Sequence, residues 1–328
     1  MRRHRFIPEV LLALAVLLLG TRPAHPKAPK GSTTTVPVQM VVTVNANHGK
    51  DVPAVSREDV QVYQGHDRDE VKDWIPLQGD NAKLELFILI DDASRANLGA
   101  QLEDLRKFVI EQPPTTAIGL GYMRNGVVDV VHRFTTDHAK VAETIRIPLG
   151  EAGAMASPYL SIVDSIKRWP TDSIGHQVLM NRWPDIPIRH EILVISDGID
   201  RFGGTGIGNP YVDAAIVEAQ RAGVIVYTMF SGGVGRFGRS IWRINWGQNY
   251  LSQIAEETGG ESFYLGFETP ISFTPYLDEL NLRLNHQYLL AFFAKPEKKA
   301  GLQRVKLRTE VPNAELVAAE KVYVPAEP

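Results

Sequence analysis

The chain has 328 residues, of which 44% are apolar, 22% charged and 8% aromatic, and its formal net charge is −3. These values belong to a folded globular chain and exclude the disordered, collagen-like and coiled-coil classes. The near balance of 35 basic and 38 acidic residues argues against a nucleic-acid partner. The absence of cysteine removes disulfides, thiolate metal sites and cysteine nucleophiles together, so any metal must sit on oxygen or imidazole.

Arg2, Arg3 and Arg5 open the chain, Val10 to Leu19 is an unbroken run of ten apolar residues, and Gly20 with Thr21 closes it. That is the layout of a secretory signal peptide, and the run is about half the length a spanning helix requires. No cysteine follows to carry lipid. Residues 1–30 are therefore expected to be a leader, and the mature chain a secreted or periplasmic protein with no stable membrane span. The remainder holds 29 basic and 37 acidic residues, about −8 in all, a charge suited to solubility.

Past the leader, residues 31–80 read as N-terminal β strands. Val36 to Val44 alternates in strand fashion, and Val60 to Tyr63 is entered from a turn at Ser56 to Asp59. Residues 287–328 have the same texture, with strands at Tyr288 to Phe293, Val305 to Thr309 and Leu316 to Val324. Neither end is large enough to stand alone, so the two are expected to pair into one small β module.

Between them, residues 81–286 alternate strands with helices. Leu84 to Ile90 is nearly all apolar, the mark of a strand buried on both faces of a parallel sheet. A helix follows on Leu98, Leu102, Leu105 and Val109, then a hairpin across Arg124, Asn125 and Gly126 and helices near His138 to Ile145 and Pro158 to Trp169. A strand at Glu191 to Ser196, a helix at Pro210 to Ala222 and a strand at Val224 to Phe230 come next. A helix around Tyr250 to Glu257, a strand at Ser262 to Leu265 and a helix at Pro275 to Leu284 complete the series. The fold class is α/β, a doubly wound, mostly parallel, Rossmann-like sheet.

Ligands of such sheets gather outside the carboxyl ends of the strands. Two ends carry acids: I-D-D-A-S-R-A-N, from Ile90 to Asn97, and I-S-D-G-I-D, from Ile195 to Asp200. With the order of elements and L-V-I-S-D-G, these segments resemble the von Willebrand factor type A domain over about residues 84 to 285. The flanks, V-S-R-E-D-V-Q-V-Y and the closing strands, resemble the exported bacterial family labelled VWFA-related. The resemblance implies a metal-ion-dependent adhesion site, in which Asp-x-Ser-x-Ser, a hydroxyl from a second loop and an Asp after the fourth strand hold a divalent cation. Carried onto this chain, the ligands are Asp91 or Asp92, Ser94, Ser157 and Asp197. The motif is degenerate: counted from Asp91 both serines are lost, to Ala93 and Arg95, and counted from Asp92 the second is Ala96. A cation (Mg, Mn or Ca) is then expected to bind weakly, with Arg95 opposing it, and no other cofactor is indicated. Each residue also has a structural use: Asp91 and Asp92 as caps of the next helix, Ser157 as the N-cap before Pro158, and Asp197 as the shaper of a turn with Gly198.

Enzyme signatures are weak. His190 and Glu191 begin no H-E-x-x-H, no G-x-S-x-G or phosphate-loop motif occurs, and the glycines of Phe202 to Gly208 lack the phosphate-binding lysine and read as a loop over the site. After Val224 to Phe230, a segment interleaves Arg236, Phe237, Arg239, Trp242 and Trp246, residue types enriched at interface hot spots. Trp242, Trp246 and Tyr250, four apart, equally suit one buried helix stripe. The sequence thus points to a non-catalytic module that recognises a protein or other envelope macromolecule at the carboxyl edge of the sheet. A hydrolase of envelope polymers acting through Asp92 and Asp197, or a scaffold with a decayed site, is the alternative.

Overall fold

The computed structural model describes residues 35–326 except 95–97, 152, 154, 170–185, 204–207, 234–239, 265 and 267–269. The expected leader, Arg95, Ala96 and most of the glycine-rich loop lie outside the described residues. Three strands open the chain: β1 (Val36–Ala46), β2 (Val60–Gln64) and β3 (Asp67–Pro76). The alternating series follows as β4 (Leu84–Asp91), α1 (Gly99–Ile110), β5 (Thr116–Arg124), β6 (Val127–Thr135), α2 (His138–Thr144), α3 (Pro158–Arg168), β7 (Arg189–Ser196) and α4 (Pro210–Ala222). It continues through β8 (Val224–Phe230), α5 (Ile241–Thr258), β9 (Ser262–Phe263) and α6 (Thr274–Asn285). Five strands close the chain: β10 (Gln287–Ala294), β11 (Gly301–Arg304), β12 (Lys306–Thr309), β13 (Ala314–Ala318) and β14 (Lys321–Val324).

The central sheet has the order β6-β5-β4-β7-β8-β9. Every pairing in it is parallel except that of the edge strand β6 with β5. β4 shows why its run is apolar throughout. Leu86, Ile88 and Ile90 enter a core with α1, α2 and α6, whereas Phe87 and Leu89 enter a second core with α3, α4 and α5. Burial on both faces removes the alternation that a one-sided strand would show. Local signals set the helix ends. Asn209 Oδ1 accepts from Tyr211 N at 2.9 Å ahead of Pro210, and Gly223 closes α4 at φ 66°, the left-handed conformation that glycine takes at least cost.

The two ends of the chain build a six-stranded antiparallel sheet, β12-β2-β3-β10-β1-β13, with a ribbon of β11 and β14 beside it. Val38, Val42, Val62, Phe292, Val322 and Val324 share its core. Four elements differ from the sequence reading, the short strand β11 among them. β3 was not expected, because six of its ten residues are charged; Trp74 holds it, stacked 4.5 Å from Tyr288 and donating Nε1 to Val55 O at 2.9 Å. The single strand expected over Leu316 to Val324 is two, β13 and β14. α5 begins at Ile241, nine residues ahead of Tyr250.

This module lies beneath the amino edge of the parallel sheet. Glu320 N, between β13 and β14, donates to Glu257 O in the last turn of α5 at 3.1 Å. Arg189, the first residue of β7, donates to Ala82 O at 2.9 Å, to Leu284 O at 2.8 Å and to Gln287 Oε1. The carboxyl edge is left to face away from it. Among the described residues no helix is long and apolar enough to cross a membrane.

Candidate functional site

β4 and β7 are neighbours, paired up to Ile90 and Ile195, so the acids that follow them arrive side by side. Ser196 Oγ donates to Asp91 Oδ2 at 2.7 Å, and Ala93 N donates to Asp91 Oδ1 at 2.8 Å. Ile199 N donates to Asp197 Oδ1 at 2.9 Å. The other oxygen of Asp197 accepts from Arg201 Nη2 at 2.8 Å; the carboxylate is buried and the guanidinium nearly so. Arg201 N in turn donates to Ala156 O at 2.8 Å, which brings the Ser157 loop alongside. Ser157 Oγ accepts from Leu160 N at 3.3 Å and so caps α3. Ser94 forms a bridge with Gly233, and Gly233 lies so close to Asp197 that a Cβ there would fall 1.9 Å from Oδ2. The structure therefore brings Asp91, Ser157 and Asp197 to the same loop cluster as Arg201, with Ser94 joined to it through Gly233. Asp91, Ser157, Ser161, Asn125 and Arg201 line a cavity of about 10 Å³, room for a single water.

Burial pushes the Asp197 carboxyl up to about 7 against the pull of Arg201, with Asp91 adding to the rise. Burial also raises Asp91, again opposed by Arg201. For Arg201, burial works against the charged form, but Asp197 and Asp91 outweigh it and hold the guanidinium protonated. Sequence reasoning missed Arg201. Its signal was a basic residue four places after Asp197, a spacing that on most loops means an exposed pair.

Asp92 belongs to another constellation. Arg146 clamps it in bidentate fashion, Nη1 to Oδ1 at 2.7 Å and Nη2 to Oδ2 at 3.0 Å, and Leu149 N donates to Oδ1 at 3.1 Å. Gly150 N reaches Asp92 O at 2.8 Å. Asp92 thus fastens the loop after α2 to the end of β4. Neither Asp91 nor Asp92 caps α1, whose N-cap is Leu98 with no side-chain bond.

Beyond Asp197 the chain bends at Gly198, φ 67°, where a side chain would meet Gly247 O of α5 at 2.3 Å. Gly247 abuts Asp197 O just as closely, so α5 packs on this loop backbone to backbone. Of the expected partner-binding residues, Arg236, Phe237 and Arg239 lie outside the described residues. Trp246 packs half-buried against the second core and stacks 6.1 Å from Tyr250. Trp242, one turn earlier, is 77% exposed. The stripe reading holds for Tyr250 and Trp246 and ends before Trp242.

A doubly wound sheet with one antiparallel edge, three helices on each face and acids after its first and central strands is the topology of the type A domain. The fold is von Willebrand factor A-like. Solved structures similar to this chain include the SpRpn10 VWA domain, at 15% identity, 61% of this chain, 94% of that one and a TM-score of 0.33. A von Willebrand factor type A protein from Catenulispora acidiphila is similar at 9% identity, 90% of this chain, 75% of that one and a TM-score of 0.44. The N-terminal domain of TFIIH p34 is similar at 11% identity, 62% of this chain, 98% of that one and a TM-score of 0.40. No family model and no curated protein matches the sequence.

The resemblance to the type A domain led to the expectation of a divalent cation, and the donors here fit one poorly. A Mg or Ca shell needs six or more oxygens with negative charge left to neutralise. Asp197 Oδ2 is already paired with the guanidinium of Arg201, whose positive charge also acts on Asp91, so the negative charge that would draw a cation is largely offset. Ser94 Oγ alone among the four expected ligands is buried without a hydrogen-bond partner among the described residues, and a hydroxyl supplies no charge.

Proposed function

We propose that the chain is a non-catalytic recognition module that engages a protein partner across the carboxyl edge of its parallel sheet. The observation that carries this reading is where exposed apolar side chains lie. Ile147, Leu149, Met155, Phe202, Trp242 and Ile271 are all exposed, with Trp242 at 77% and Ile271 at 92%. All six stand on segments that meet the carboxyl edge, around the Asp91, Asp197 and Arg201 cluster. Interfaces draw their energy from large apolar and aromatic side chains that become buried on binding, and Trp is enriched among the residues that carry most of it. The expected hydrolase pair finds no support here, because Asp92 and Asp197 are buried in separate ion pairs with Arg146 and Arg201. Acid–base work on a polymer requires both carboxyls to reach the substrate.

The test is cross-linking capture from the native source with wild type, Trp242→Ala, Leu149→Asp and the control Ile110→Asp. Ile110 is equally apolar and exposed but ends α1 at the opposite edge. We expect the same partner to be recovered by wild type and the control and to be lost with the two edge variants, all four having matching circular dichroism. Equal recovery by all four would refute the reading. The basic start and ten-residue apolar run support export, and N-terminal sequencing of envelope or culture protein is expected to find a start between Thr21 and Gly31. Cytoplasmic protein with Met1 intact would refute that.

A further inference from the structure

We propose that Arg201 is the resident cation of this site, so that the cluster at the carboxyl edge is assembled and held without a divalent metal. Three observations carry it. First, the guanidinium makes the contact a metal would make: Nη2 lies 2.8 Å from Asp197 Oδ2, and its charge is felt by Asp91 as well. Second, the arginine is built in. It is 11% exposed, and its backbone N is anchored to Ala156 O at 2.8 Å, so the side chain is no surface arm that has swung inward. Third, Asp197 is covered on its outer side, and the water-sized cavity beside Asp91 and Ser157 is itself lined by Arg201. Gly233 closes over Asp197 Oδ2 so tightly that even a methyl group there would collide with the carboxylate, and the same methyl would sit 3.1 Å from Arg201 Nη2.

A divalent ion bound to Asp197 would have to share that oxygen with a permanent positive charge. At contact distance such like charges repel strongly, because buried sites screen poorly. Arginine is also the cation suited to permanence. It stays protonated across the physiological range and offers a planar set of donors, where a metal ion must be captured at each folding event and is lost to chelators.

This inference is independent of what the apolar rim binds, since its readouts are stability and cation binding. In the full chain, millimolar Mg, Mn or Ca and, separately, EDTA are expected to leave the melting temperature unchanged, and calorimetry with Mg or Mn is expected to show no saturable heat. Saturable one-to-one binding that raises the melting temperature and disappears in Asp197→Asn would overturn the proposal. Arg201→Ala is expected to melt well below wild type at neutral pH, with Arg201→Lys in between. Adding Asp197→Asn to Arg201→Ala removes the uncompensated charge and should recover part of the loss, including soluble yield if the single variant does not fold. An Arg201→Ala protein as stable as wild type, or a double variant no better than the single one, would show that Arg201 balances nothing.

Discussion

Asp91 and Asp92 are adjacent in sequence and serve different masters. Asp91 faces the β7 loop and Arg201, while Asp92 faces the loop after α2, where Arg146 grips it and lies 3.7 Å over the ring of Tyr122. Asp92 is buried and Arg146 about one-third exposed. Removing the arginine would strand a buried carboxylate, so Arg146→Ala is expected to cost about 2–3 kcal/mol in urea unfolding. The double variant with Asp92→Asn should cost less than the single, because no stranded charge remains; an unchanged single variant would show that the clamp is idle. At this scale the acids were legible and their partners were not. An aspartate after a buried apolar run announces itself by position. Arg146 and Arg201 look like any surface base until folding shows which of them is buried, and Arg146 is 54 residues from its carboxylate.

Among the elements, β7 carries the least comfortable residue. Glu191 is fully buried in the sheet, with Arg189 two positions before it and Gln287 of β10 beside it. Burial pushes its carboxyl up to about 7, against the pull of Arg189. A folded-state value above the ordinary 4.5 means that folding takes up a proton between those limits. Stability from this group is therefore greatest below about pH 4.5, falls as pH rises towards 7 and is flat above, and Asp197, also raised to about 7, adds to the same slope. Glu191→Gln mimics the neutral acid, and is expected to gain on the order of 3 kcal/mol near pH 8 and little near pH 4. Urea unfolding at both values checks this, and an equal change at both would assign the effect to packing. β4, β7 and α4 could be read from the sequence because burial on both faces or a clear pair of caps leaves a local signature. β3 and the first turns of α5 could not, since their order comes from neighbours: β3 from Trp74 on Tyr288, and α5 from Gly247 seated against the Asp197 loop.

The whole molecule is closed by its own ends. β1 lies between β10 and β13, and β2 lies between β3 and β12, so a chain ending before Leu302 would leave both opening strands with a bare edge. Such edges pair with other chains, and deletion of residues 302–328 is expected to give insoluble protein or a greatly lowered melting temperature. A deletion that melts like wild type in soluble form would mean that the last strands are dispensable. The sheet formed by the two ends was legible because both carry short alternating strands too few to stand alone. The same closure gives the molecule a direction. β1 and β14, the first and last strands of the described residues, both belong to the module under the amino edge, while Trp242, Leu149 and the Arg201 cluster stand on the opposite side. A partner held at the proposed carboxyl edge would therefore leave β1 and β14 uncovered, on the far side of the parallel sheet from it.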